Sequence, residues 1–146
     1  MSLIERLEEE HREAAAALER LEAACALALA GKARSVWGDE REDALRVVCA
    51  IVHGHAESEE DIVFPALQGA GMDALLATLI AEHAEVRTLY ERVRTLADQD
   101  AAAAHWTEPA RTLRGRLAMH MQRENLLVFP KARHLPAPVL AAWERR

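Results

Sequence analysis

An eleven-residue pattern that occurs twice limits this chain more than any other feature. Residues 55–65 read His55-Ala56-Glu57-Ser58-Glu59-Glu60-Asp61-Ile62-Val63-Phe64-Pro65, and residues 120–130 read His120-Met121-Gln122-Arg123-Glu124-Asn125-Leu126-Leu127-Val128-Phe129-Pro130. Both follow His-x3-Glu-x3-Val-Phe-Pro, and the two phenylalanines of the chain fall at the same place in each. On a helix, residues four apart share a face, with Cβ atoms about 5–6 Å apart. Two such faces turned toward each other would present two imidazoles and two carboxylates to one centre, which is the shape of a metal site.

The flanking segments predict helices throughout. Ala, Leu, Glu and Arg dominate a composition that is 51% apolar but only 4% aromatic, the balance of strong helix formers. The first helix is expected over 2–30, with Ser2 and Glu5 as a capping box and Gly31 as the stop. Its apolar stripe is Ile4, Leu7, His11, Ala14, Leu18, Leu21 and Cys25. The second is expected over 39–65, capped by Asp39, with the stripe Leu45, Val48, Val52, His55, Glu59, Ile62, Ala66 and an end at Pro65. The third covers 73–97, with Leu76, Leu79, His83, Val86, Tyr90, Val93 and Ala97 inward. The fourth starts at Thr107-Glu108-Pro109 and carries Leu113, Leu117, His120, Glu124 and Leu127 to about residue 129. A short helix over 137–145 follows. The fold class is all-α: an antiparallel up-down-up-down four-helix bundle with a short C-terminal helix, one domain over 1–146 whose bundle spans 2–131.

A second echo makes the duplication structural. Leu7, Glu10, His11, Glu13, Glu19 and Arg20 match Leu79, Glu82, His83, Glu85, Glu91 and Arg92 at a constant offset. The chain is two helical hairpins, each a His helix followed by a His-x3-Glu helix. Heights agree: about 24 residues separate His11 from the first connection, and about 20–24 separate it from His55 and Glu59, at 1.5 Å per residue. His83, His120 and Glu124 match around the third connection in the same way. The candidate metal ligands are therefore His11, His55, Glu59, His83, His120 and Glu124. Glu60 adjoins Glu59 as a possible extra ligand or support, and Tyr90 stands one heptad past His83, where it can border the site. Buried ionised carboxylates are costly unless paired or coordinated. A cation answers that cost, and a His–Glu hydrogen-bond network is the alternative. His53, His105 and His134 fall off the stripes and read as solvated. Cys25 and Cys49 differ in height and read as reduced thiols.

Imidazole with carboxylate suits iron, zinc, copper or manganese, and the lack of thiolate argues against a structural zinc knuckle. The pattern His11 … His55-x3-Glu59-Glu60-x-x-Val-Phe-Pro … Glu82-His83 … His120-x3-Glu124-x4-Phe-Pro resembles the hemerythrin-like, or HHE cation-binding, domain, over about residues 1–131. The resemblance implies a four-helix bundle with a non-haem di-iron centre, two iron ions bridged by oxo or hydroxo. Glu59 and Glu124 would bridge the ions and the four histidines would be terminal ligands. Zinc in place of iron stays open. It also implies a small ligand as partner: oxygen, nitric oxide or peroxide, or iron itself as the thing sensed. Oxygen-carrying members have a further His one turn after the third-helix His, where this chain has Arg87. They also carry Asp at a longer spacing where Glu124 stands. That departure favours reactive chemistry, sensing or iron handling over reversible oxygen carriage, including a peroxide- or nitric-oxide-consuming activity. Ferritin-like di-iron sites need two Glu-x-x-His motifs, and only Glu8-x-x-His11 fits.

The remaining expectations are exclusions. A net charge of -6 without a basic run disfavours nucleic acid. The charged start, Met1-Ser2-Leu3-Ile4-Glu5-Arg6, does not read as a signal peptide. No window is long and apolar enough for the membrane. The chain reads as cytoplasmic, a monomer or a homodimer.

Overall fold

A computed structural model describes residues 1–144, and they are helical apart from short connections. Helix α1 spans Leu3–Leu29. Its start is the expected capping box: the Ser2 hydroxyl accepts the Glu5 N–H at 3.2 Å, and the Glu5 carboxylate accepts the Ser2 N–H at 2.8 Å. Its end is equally local. Gly31 adopts φ +79°, and the N–H groups of Gly31 and Lys32 return to the carbonyls of Ala28 and Leu27. This satisfies carbonyls the helix would leave open.

Helix α2 covers 34–66, starting at Arg34 with Ala33 ahead of it and no side-chain cap. That is five residues before the Asp39 cap expected from sequence. Trp37 explains the difference: its indole is buried, donates to the Lys32 carbonyl at 3.0 Å and packs on Trp106 at 5.3 Å. Tertiary burial recruits the extra turn where capping chemistry does not. Helix α3 spans Asp73–Asp98, and all seven residues of its expected stripe are buried. Helix α4 covers 103–132 and likewise starts before its expected cap. Thr107 instead lies inside, donating to the Ala103 carbonyl at 2.7 Å. Pro109 falls in the second turn, where a missing N–H removes a single bond. Trp106, wholly buried, fixes that added turn. Helix α5 spans Ala137–Glu144; the expected last residue of that helix, Arg145, lies outside the described residues. α1 packs on α2 and α4, and α3 packs on α4 and α2, so the four long helices close an antiparallel bundle.

The apolar stripe deviates where it matters most. α2 widens into π-helical turns at Ile51–His55 and Glu59–Val63, and α4 does so at Glu124–Val128. A π turn adds one residue to the helical count and rotates everything after it. The inward residues past Glu59 are therefore Val63, Phe64 and Leu67, not the expected Ile62 and Ala66. Past Glu124 they are Val128, Phe129 and Ala132, while the expected Leu127 is 50% exposed. The wide turns at Glu59–Val63 and Glu124–Val128 each lie just ahead of a Phe-Pro, where the proline ring would crowd the carbonyl four residues back in a regular helix. The helices end one residue after Pro65 and two after Pro130. Leu127→Ser is expected to change the unfolding free energy by less than about 0.5 kcal/mol. Val128→Ala should cost about 2 kcal/mol. Urea melts of the metal-free variants check both, and equal losses would contradict the rotated face.

Burial divides the interior in two. One apolar cluster includes Leu18, Leu21, Leu45, Val48, Val93, Leu113 and Leu117. The other includes Leu3, Leu7, Val63, Phe64, Leu79, Phe129 and Trp143. Between them, four helices turn polar at one level. At the far end of the larger cluster, Arg41 is wholly buried, its guanidinium 4.9 Å from the Trp37 ring centre and 4.8 Å from that of Trp106. Two aromatic faces flank the cation, and the Glu42 carboxylate is 3.5 Å from its Nε.

Candidate metal centre

The polar layer holds His11 from α1, His55 and Glu59 from α2, His83 from α3, and His120 and Glu124 from α4, all buried. The fourfold helix spacing of each His-x3-Glu pair brings its Nε2 to its own carboxylate: 3.5 Å for His55–Glu59 and 3.2 Å for His120–Glu124. The other two histidines arrive from the odd helices. His11 Nε2 is 3.2 Å from Glu124, and His83 Nε2 is 3.2 Å from Glu59. The six residues form two groups whose ligand atoms all lie within 4.8 Å of one another: His11, His55, Glu59, Glu124 and Glu59, His83, His120, Glu124. Both carboxylates belong to both groups. This is the arrangement of two cation positions side by side, each with two imidazoles and a share of two carboxylates.

The outer nitrogens explain why the inner ones point inward. Each Nδ1 meets an oxygen: His11 with Asn125 at 2.7 Å, His55 with Glu10 at 2.7 Å, His83 with Glu60 at 3.2 Å, and His120 with Glu82 at 2.9 Å. Carboxylate oxygens only accept, so the Nδ1 atoms donate and the Nε2 lone pairs face the centre. His11 and His55 then oppose lone pairs at 3.0 Å. Both oxygens of Glu59 and of Glu124, with His83 Nε2 and His120 Nε2, have no hydrogen-bond partner among the described residues. Buried acceptors facing acceptors carry an unmet cost. A cation, which accepts from all of them, removes it. The donor set fits a pair of divalent transition metals.

Without a cation, only protons can occupy these atoms. Burial first, and then the Glu124 charge, pushes Glu59 well above the usual carboxylate range. Glu124 is held well below it: burial acts against this, but contacts with His11, His120 and Glu59 outweigh it. Burial lowers His55, and lowers His83 to about 4 with help from His120. Burial also opposes the charge on His120, yet Glu124 and Glu82 raise it. Metal and protons therefore compete for one set of atoms.

The supporting residues Glu10, Glu82 and Asn125 escaped the sequence reading as parts of the site. A signal was present, because Glu precedes His in both odd helices. On a helix, adjacent residues point about 100° apart, so Glu10 cannot reach His11 and instead holds His55 across the hairpin. Glu82 holds His120 by the same symmetry, and Asn125 and Glu60, each following a buried Glu, hold His11 and His83. Glu60 thus lies outside both groups of four and bonds the outer nitrogen of His83. Tyr90 is buried but faces His53, with ring centres 6.0 Å apart, and does not line the space between the ligands. Arg87 is bonded outward, Nε to the Val52 carbonyl and the terminal nitrogen to Glu60, each at 2.8 Å. Phe64 stacks on His83 and Phe129 tilts against His11, ring centres 5.8 and 5.1 Å apart. The space among the ligands measures about 10 Å³ and is walled by Ile51, Val52, Val86, Leu117 and Met121. Off the site, His105 and His134 are exposed, His53 is half-buried beside Glu91, and Cys25 and Cys49 are free thiols.

A family model described as the hemerythrin HHE cation binding domain matches residues 2–132. No curated protein and no solved structure matches the chain. No helix among the described residues is long and apolar enough to cross a membrane.

Proposed function

The chain belongs to the hemerythrin HHE cation-binding family, and from that premise we propose that it holds two iron ions and uses them to bind or sense a small ligand, oxygen, nitric oxide or peroxide, in the cytoplasm. One observation carries the reading: two four-residue groups share both of their carboxylates. Glu59 and Glu124 would be shared by the two ions, and His11 with His55 and His83 with His120 would complete the ligands on each side. Bound iron supplies redox chemistry and coordination positions open to a small ligand. The residues around it do the rest. Glu10, Glu60, Glu82 and Asn125 fix the imidazole tautomers and orientations. Ile51, Val52, Val86, Leu117 and Met121 give the space among the ligands apolar walls and hold it to about the size of one water, which favours small ligands. Arg87 adds no nitrogen to either ion, which leaves coordination more open and suits reactive or sensing chemistry rather than storage.

The test is reconstitution with ferrous iron without air, metal analysis, and visible spectra on adding oxygen, peroxide or nitric oxide. The expected result is two ions per chain, one per group, with a spectral change on ligand addition. Turnover of added peroxide or nitric oxide would make the protein an oxidoreductase using the same centre. Stoichiometric zinc with spectra unmoved by all three ligands would overturn the iron reading and leave a metal-stabilised helical module.

A further inference from the structure

The two halves of the centre share their carboxylates but not their surroundings. His83 and His120 are held by Glu60 and Glu82, and each of those carboxylates is itself gripped by an arginine, Arg87 at 2.8 Å and Arg123 in a close ion pair. His11 is held by the neutral amide of Asn125, and His55 by Glu10, which lies 3.9 Å from the Arg6 guanidinium. A carboxylate on the outer nitrogen makes an imidazole a stronger metal donor and fixes its ring; an amide oxygen does less of both. The backbone differs too. α2 has a π turn running into His55, whereas α4 is regular up to His120.

Access differs in the same direction. A groove of about 430 Å³ runs between α1 and α2, lined by Glu10, Glu13, Arg46, Ile51, Gly54 and His55 among others. Ile51 and His55 also wall the space among the ligands, so these two side chains stand between that groove and that space. The groove at Glu60 and Phe64 on the other side shares no lining residue with that space. Gly54 stands in a helix, where glycine costs about 0.5–1 kcal/mol relative to alanine, and an added Cβ there would meet nothing within 4 Å. Its effect is to leave the groove floor open beside His55. Glu10 and Glu13 put carboxylates at the mouth, and Glu10 already touches His55.

We propose that the groove between α1 and α2 is the route by which a divalent cation reaches and leaves the centre, and that the His11–His55 half exchanges its ion while the His83–His120 half retains it. This rests on the two-ion reading above. The experiment uses the full chain loaded with zinc(II), challenged with excess chromogenic chelator and followed in time, and the metal-free chain for uptake. Two ions per chain are expected, one leaving at least about tenfold faster than the other. Asn125→Asp should slow the fast phase by about tenfold and Glu60→Gln should quicken the slow one. Gly54→Leu should slow both uptake and release of the fast ion, with Gly115→Leu, another open helical glycine remote from the groove, as the unaffected control. Should Gly54→Leu fail to fold, Ile51→Ala tests the route in the opposite sense, by a quicker fast phase. Two ions leaving at one rate, or a fast phase indifferent to residues 51 and 54, would overturn this inference alone. Fewer than two ions per chain would overturn the two-ion reading with it.

Discussion

Glu59→Ala and Glu124→Ala are each expected to empty both cation positions, the largest functional loss any single substitution here should produce. Each carboxylate belongs to both groups of four, so its removal takes a ligand from both ions and leaves each with three. His11→Ala, His55→Ala, His83→Ala or His120→Ala deletes a ligand from one group only, and metal content should fall toward one ion per chain. His105→Ala and His134→Ala should leave it unchanged, since both side chains are exposed and His134 is bonded to the Pro130 carbonyl. Metal analysis after dialysis reads all of these. The Glu variants should still fold, because deleting one of two crowded buried carboxylates also relieves the metal-free bundle of an unmet charge. Equal metal content across the histidine and glutamate variants would sink the ligand assignment.

The second large effect is on stability. A ligand at a thousand times its dissociation constant adds about 4 kcal/mol to folding, so two ions add about 8. For a chain of this size, that shifts the melting temperature by about 20 °C. Stripping metal with a chelator should lower it by that order, and a shift of a degree or two would mean that the centre is not a structural element. The metal-free protein should also weaken on acidification. His83 is held neutral down to about 4 against 6.5 for an ordinary histidine, so the stability present above pH 6.5 is lost as pH falls toward 4. Glu59 works the other way: its raised value contributes stability at low pH that disappears as pH rises above the ordinary 4.5. The two slopes oppose each other between pH 4.5 and 6.5, so a metal-free melt should be flattest there and fall on either side, and the loaded protein should lose its advantage on the acid side, where protons displace metal.

The bundle and the six inward residues were legible because both depend on periodicity, and the duplicated His-x3-Glu states its own phase. What periodicity missed has particular physical causes. Ile62 and Leu127 continue a regular 3.6-residue stripe on paper, and nothing in their apolar character separates them from Val63 and Val128. Only the π turn after each Glu, which changes the count itself, decides between them. Arg34 and Ala103 start helices without a capping side chain because Trp37 and Trp106 bury there, a gain that exists only once α2 and α4 are side by side. Arg41 is buried only because two indoles from different helices enclose it, which nothing in its local sequence announces. Glu10 and Glu82 sit beside histidines in sequence yet serve histidines on other helices, a pairing set by bundle geometry alone.

The division of the interior has a consequence for cooperativity. A bundle whose apolar packing is interrupted at mid-height by two carboxylates and four imidazoles is two small cores on shared helices, with a layer between them that repels itself. In the metal-free chain the two cores are coupled chiefly through helix continuity, and that continuity is weakened at the three π turns, all of which adjoin the layer. Local opening can then begin at this waist and leave either end folded, in the manner of separate cooperative units. Two ions bound across four helices, as proposed, would convert the waist from the weakest section into a clamp, and the ends would then open together. The tryptophans happen to mark the two units, Trp37 and Trp106 in one and Trp143 in the other. All-or-none unfolding is thus expected of the loaded protein alone, with the centre making one folding unit out of two.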